Sequence, residues 1–380
     1  MEPFVMYNPV RLHFGRGVTD SLGNSVLKYG KRVLLVYGGG SIKRNGVYDH
    51  VMAQLKEAGA EVFEYSGIKP NPVIEDVDAA AAMGREKNVD IILAVGGGSV
   101  IDSAKIISIT IPADHSGWEF MKNRQKPQSA VPLIAVLTLA ATGTEMNRFA
   151  VVQNNATKEK LGYGDPLTYP KESFLDPSYT ISVPKDYTAY GVTDLIAHCL
   201  EAYFGEGEAT LSDRFVYAII KEAMEYGPAL MNDLENYALR EKIMYAATNA
   251  LNNLTAYGRK SGDWGVHSIG HVLSVLYDVP HGASLSIVYP AWLKLHTSRI
   301  PRRIETLGLN LFGVSAAGQA IHAMESFFTS IGSPVRLAEI GIDTAKHGEE
   351  IFATMASNKA GGNHHKLNEA DYRGLIRLMG

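Results

Sequence analysis

Between Asp194 and His281 lie the residues whose types and spacing best support chemistry. Asp194 and His198 are four apart, and His267 and His271 repeat that spacing, so on helices each pair stacks on one face. His281 follows Asp278-Val279-Pro280, where a turn should open a further helix. One carboxylate and up to four neutral imidazoles converging between helices suit a divalent cation such as Fe(II) or Zn(II). A lone helical histidine is usually an ordinary polar residue. Two such pairs followed by a His-Gly make that bland reading the weaker one.

A second set of residues lies upstream. RVLLVY (32–37) and DIILAV (90–95) are continuous apolar runs, as expected of strands buried on both faces. Each runs into GGGS, at Gly38–Ser41 and at Gly96–Ser99. Glycines let a backbone approach a ligand closely, and a following helix aims its N–H groups at an anion, an arrangement that suits a pyrophosphate. Neither stretch matches G-x-G-x-x-G. Asp102 lies early in the second helix, where it can cap N–H groups or meet a cofactor's polar edge. Thr138, Thr142 and Thr144 follow the strand predicted over 131–137. No acid follows RVLLVY to hold a ribose 2′-hydroxyl, whereas Ser41, Lys43 and Arg44 lie close by, which favours NADP(H) over NAD(H).

The elements that position these groups change character along the chain. Residues 1–17 read as extended. Strands at 32–37, 61–65, 90–95, 131–137 and near Phe174–Pro177 alternate with helices at 46–58, 73–87 and 99–108, which implies a parallel sheet. After Pro184, residues 186–204, 208–229, 235–254, 263–276 and 282–297 all read as helical, several with apolar residues at i, i+3, i+4. The expected division is an α/β domain over 1–182 that binds a dinucleotide, then an all-α, metal-binding domain over 183–380.

Bulk properties exclude other classes. A net charge of −4 and no basic stripe leave no nucleic-acid footprint. No run of about 18 apolar residues spans a membrane. Cys199 is the single cysteine, so no intramolecular disulfide forms, which fits a cytoplasmic protein. Beside His198 it should point away from that face as a packed thiol. Phe149, Leu254 and Trp264 are candidate apolar walls for a substrate, and His364-His365 reads as a solvated turn.

The stretches KPNP, AVGGGSVID, LTLAATGTEMN, FLDP, GVTDLIAHCLE, YAATNALN, HSIGH and VPHG together resemble the iron-containing (group III) alcohol dehydrogenases. The nearest branch is that of butanol dehydrogenases and broad-range aldehyde reductases, and the resemblance runs over nearly the whole chain. It implies a dehydroquinate synthase-like fold. It places metal ligands at Asp194, His198, His267 and His281, with Fe(II) as the ion and Zn or another divalent ion as substitute. His271 matches a second histidine that is not a ligand and shuttles protons. Cofactor contacts fall on Gly38, Gly39, Ser41, Gly96, Gly97, Gly98, Ser99, Asp102, Thr138, Thr142 and Asn147. Ala141 stands where the family motif often has glycine. The implied reaction is hydride transfer between NAD(P)H and a small to medium aldehyde or primary alcohol, in a homodimer whose extended N-terminus pairs across the interface.

A lyase of the same fold, like dehydroquinate synthase, is the competing expectation. It needs cations to grip a sugar phosphate. Arg214, Lys221, Arg240, Lys242, Arg259 and Lys260 lie in this region, but none falls inside the metal motifs.

Overall fold

Apolar runs flanked by glycine turns build one parallel sheet. A computed structural model describes residues 1–380. The first half contains β1 (Arg11–Phe14), α1 (Leu22–Leu27), β2 (Arg32–Gly38), α2 (Ser41–Arg44), α3 (Val47–Glu57), β3 (Glu61–Ile68), α4 (Ile74–Glu86) and β4 (Ile91–Gly96). It continues with α5 (Gly98–Thr110), α6 (Trp118–Met121), β5 (Leu133–Leu137), β6 (Phe149–Asn154), β7 (Glu159–Gly164) and β8 (Glu172–Leu175). Six strands form the sheet in the order β1-β8-β5-β4-β2-β3, and every pairing is parallel.

Side chains alternate across the sheet, so each strand feeds two cores. Leu34, Val36, Ile92, Ala94, Leu133 and Ala135 pack with α4 and α5. Val33, Leu35, Ile91, Leu93, Ile134 and Val136 pack with α1 and α3 on the other face. This double burial explains why these strands read as unbroken apolar runs.

The strand order reverses between β2 and β4, which are direct neighbours (Tyr37 opposite Val95). Ligands of open α/β sheets bind at such a switch point, beyond the carboxyl ends of the strands. Both GGGS turns leave the sheet there.

Three features depart from the expectations. An antiparallel hairpin, β6–β7, occupies 149–164, where no strand was expected. Its Ala150 and Val152 pack on the α4–α5 core. Within residues 1–17 only Arg11–Phe14 is a strand, and it pairs with β8 of the same chain. The units also interleave. One comprises Tyr7–Val183 and Glu235–Met244, the other Met1–Met6, Pro184–Leu234 and Tyr245–Gly380. The first six residues and the 235–244 segment thus lie outside the halves expected for them.

The second unit is helical: α7 (Lys185–Tyr203), α8 (Thr210–Asn232), α9 (Tyr237–Ala250, which begins in the other unit), α10 (Gly265–Tyr277), α11 (His281–His296), α12 (Pro301–Phe312), α13 (Ala317–Ser330), α14 (Thr344–Ser357) and α15 (Glu369–Met379). No helix is long and apolar enough to cross a membrane.

Candidate metal centre and cofactor loops

The metal motif is assembled by α7, α10 and the first turn of α11. Gly282 sets the approach of α11. A Cβ there would lie 2.2 Å from the Tyr190 carbonyl oxygen, so only glycine lets α11 rest on the α7 backbone one turn before Asp194. Gly270 does the same on α10, where a Cβ would meet the Ser284 hydroxyl at 2.7 Å.

Close packing brings the side chains to one carboxylate oxygen. From Asp194 Oδ1, His198 Nδ1 is 3.4 Å away, His267 Nε2 is 3.8 Å and His281 Nε2 is 3.7 Å. Donor atoms around one tetrahedral ion at ordinary bond lengths are separated by roughly 3.4 Å. Asp194, His267 and His281 offer atoms that all lie within 4.8 Å of one another. His198 meets the same carboxylate oxygen but stands outside that tighter trio. His271 lies beside His281, with ring centroids 5.5 Å apart, and is half-buried.

The electrostatics fit a cation. Asp194 Oδ1, His198 Nδ1 and His267 Nε2 are buried and accept or donate no hydrogen bond. Buried polar atoms are rarely left so, and three pointing at one spot suit a shared ion. Burial pushes His198 down to about 4, against the pull of Asp194, so its imidazole is neutral and ready to ligate. Burial acts the same way on His267, but the nearby carboxylates of Asp194 and Glu201, the latter hydrogen-bonded to it, outweigh it and push it up to about 9. A bound cation would take the place of that proton.

Glu201 is the functional residue that the sequence reading passed over. Its Oε1 accepts from His267 Nδ1 at 2.8 Å and from the His267 backbone N–H at 3.0 Å. With Nδ1 donating to Glu201, the lone pair of a neutral His267 lies on Nε2, facing Asp194. Carboxylate–histidine pairs of this kind orient metal ligands. The clue was present: Glu201 is one turn from His198 and two from Asp194.

Asp263 is a second missed residue. Its carboxylate accepts from the backbone N–H groups of Gly265, His364 and His365, tying the start of α10 to the 362–365 turn. Between them Trp264 adopts a left-handed backbone (φ 65°). Its ring lies 5.3 Å from His267 and 6.1 Å from His198, making it a wall of the site. His365 is not solvated as expected. It packs edge-on against Trp292 and His296, and burial pushes it down to about 4. Cys199 is fully buried and its thiol is pushed up by burial, as a packed residue should be.

The cofactor candidates surround the switch point. α5 begins at Gly98 with no side chain capping its N-terminus, which leaves that end suited to phosphate. Gly39 and Gly40 have open space where a Cβ would stand, so the first turn has room for a ligand. The second turn is tighter. A Cβ on Gly98 would lie 2.6 Å from the Thr142 side chain, so this glycine serves loop-to-loop contact. The Ser99 hydroxyl donates to the Pro70 carbonyl, and the Thr138 N–H donates to the Gly96 carbonyl at 3.0 Å. Ser41 is exposed.

Asp102, on α5, and Asn147 bind the 138–149 loop to its surroundings. Asp102 accepts from the Thr144 hydroxyl (2.6 Å) and the Val151 N–H (2.8 Å). Asn147 donates to the Gly143 carbonyl and accepts from the Phe149 N–H and Lys105. At the centre is Lys105, wholly buried. Its Nζ donates to the Thr144 carbonyl and hydroxyl and to the Phe149 carbonyl at 2.6–2.7 Å. Burial pushes its pKa down to about 8 even though Asp102 and Glu145 oppose the shift.

The premise that no acid lies by the first turn needs correcting. Glu64, on β3, accepts from the Tyr37 and Tyr48 hydroxyls at 2.7 Å each, and Lys43 Nζ lies 3.7 Å from it. It belongs to the neighbouring strand and is distant in sequence.

Three of the cations that a lyase would use are engaged elsewhere. Arg259 pairs with Asp213 and Lys260 with Glu206, while Arg240 points to the Ile181 and Val183 carbonyls. They form no anion-gripping ring, and the lyase alternative is not supported.

Comparison with known proteins identifies a family. The family model described as iron-containing alcohol dehydrogenase matches residues 9–177, and its C-terminal counterpart matches 188–378. A probable NADH-dependent butanol dehydrogenase 1 of Bacillus subtilis is 42% identical, covering 99% of both chains. The NADPH-dependent aldehyde reductase YqhD of Escherichia coli is 36% identical over 90% of each. The crystal structure of NADH-dependent butanol dehydrogenase A from Thermotoga maritima superposes with a TM-score of 0.96 at 37% identity, covering 100% of this chain and 99% of that one. The chain belongs to the iron-containing alcohol dehydrogenase family.

Proposed function

We propose that this chain interconverts small to medium, largely apolar aldehydes and primary alcohols by hydride exchange with a nicotinamide dinucleotide. The observation that carries the reading is the single Asp194 oxygen faced by nitrogens of His198, His267 and His281. Those four residues would hold the ion, Fe(II) with Zn(II) or another divalent metal as substitute. Bound there, the ion supplies Lewis acidity to a hydroxyl or carbonyl oxygen, and the dinucleotide gives or takes the hydride.

The chain's own groups do the rest. Glu201 fixes the ring of His267, and Trp264 screens the imidazoles from water. His271, beside His281, carries a proton to or from solvent on its imidazole. Lys105, Asp102 and Asn147 hold the 138–149 loop in shape for the dinucleotide.

Substrate class rests on the relatives named for butanol and for aldehydes. Those relatives are named for NADH and for NADPH respectively. Ser41, Lys43 and Arg44 favour NADP(H), and Glu64 weighs against it. A homodimer would cover the exposed Met1, Phe4, Val5, Met6 and Tyr7.

Anaerobic iron loading followed by butyraldehyde with NADPH or NADH tests the proposal. Net consumption of either reduced cofactor is expected. Absence of turnover with both, in protein holding one ion per chain, overturns it.

A further inference from the structure

Beside the first glycine turn is a four-residue cluster that takes no part in the hydride step. Lys43, on α2, lies over two aromatic faces, with Nζ 4.4 Å from the Tyr48 ring centroid and 5.1 Å from that of Tyr37. The hydroxyls of those same tyrosines clamp the two oxygens of Glu64, which in turn faces Lys43. Both charged side chains keep a solvent-facing share, 47% for Lys43 and 34% for Glu64. A fold-stabilising pair on a strand edge needs no such double clamp. This one fixes a carboxylate in position and leaves an ammonium leaning on rings.

We propose that Lys43 and Glu64 select the cofactor at its ribose 2′ position, a reading that rests on the dehydrogenase assignment above. The adenosine half of a dinucleotide binds beyond the strand that opens the switch point, and an acid near that tip accepts from a 2′-hydroxyl and repels a 2′-phosphate. Glu64 is that acid, supplied from β3. Lys43 is the cation that a 2′-phosphate needs, and Glu64 holds it. To bind NADP(H), the phosphate must compete with the carboxylate for Lys43. To bind NAD(H), the pair stays closed. The two charges oppose each other, so the unmodified chain accepts both cofactors and the pair sets their ratio.

The effect is tested by binding, without metal. Fluorescence titration gives the NADPH and NADH dissociation constants of the unmodified chain, Glu64→Gln, Lys43→Met and Tyr48→Phe. Calorimetry with 2′,5′-ADP and 5′-AMP localises the effect to the phosphate. Glu64→Gln is expected to raise the NADPH:NADH affinity ratio by roughly fivefold, what one unit charge does to a nearby phosphate in a surface dielectric. Lys43→Met should lower the ratio by a similar factor, and Tyr48→Phe, which loosens the clamp, should raise it less. Ratios that stay within twofold in all three variants, or shifts of the same sign for Glu64→Gln and Lys43→Met, overturn the selector while leaving the dehydrogenase intact. Failure of the unmodified chain to bind either dinucleotide overturns both.

Discussion

Replacing Glu201 is the sharpest test of how the metal centre is built. Its Oε1 accepts two hydrogen bonds from one residue, His267, through Nδ1 at 2.8 Å and the backbone N–H at 3.0 Å. Glu201 is 1% exposed, so water cannot substitute. A hydrogen bond to a charged group contributes about 1.5–3 kcal/mol, and loss of a carboxylate behind a ligating histidine typically costs about 10–100-fold in metal affinity. Glu201→Gln keeps an oxygen acceptor and loses the charge, so about tenfold weaker binding is expected. Glu201→Ala also leaves the His267 tautomer unfixed and two buried donors unpaired, and about a hundredfold loss is expected. Anaerobic competition against a chelator measures both constants for Fe(II) and Zn(II). Thermal melts of the metal-free variants separate lost affinity from lost fold. Affinities within twofold of the unmodified chain for both variants would refute the argument that Glu201 orients His267.

Other outcomes follow from the same geometry. Asp194→Ala removes the one anion of the ligand set, so metal content by mass spectrometry should fall below a tenth of an ion per chain, with the helical unit still folded by circular dichroism; full retention would exclude Asp194 as a ligand. Lys105→Met strands the buried carboxylates of Asp102 and Glu145 and should cost about 3–5 kcal/mol in denaturant unfolding, together with a raised Michaelis constant for the dinucleotide. Burial alone would raise the Glu172 pKa, but hydrogen bonds from Lys28, His13 and Ser25 outweigh it and hold the carboxyl below its usual 4.5. A depressed folded pKa stabilises above the unfolded value and is lost as pH falls through the folded one, so melting temperature should drop from about pH 4.5 downward. Glu172→Gln should be less stable at pH 7 and show a shallower acid limb; parallel curves would refute that source of acid sensitivity.

Legibility in the sequence followed the range of the interaction. The sheet strands could be read because burial on both faces leaves only apolar residues in RVLLVY and DIILAV. The side-chain pairs around the candidate centre could be read because helical period places Asp194 with His198, and His267 with His271, on one face whatever the tertiary context. The hairpin at 149–164 was missed because Phe149–Val152 is a short apolar run with no alternation, although Asn154-Asn155 marks a turn. Glu201 was missed because its partner is 66 residues away, and an acid on a helix usually faces water. Glu64 was missed for a related reason, since its meeting with Tyr37, Tyr48 and Lys43 exists only once β2 and β3 are paired. Lys43 is therefore not the only charge beside the first glycine turn. A strand tip without an acid favours a 2′-phosphate only if no adjacent strand contributes one, and here β3 does. Local motifs thus mark the turn, while the charges around it include ones that the sheet brings in from elsewhere in the chain.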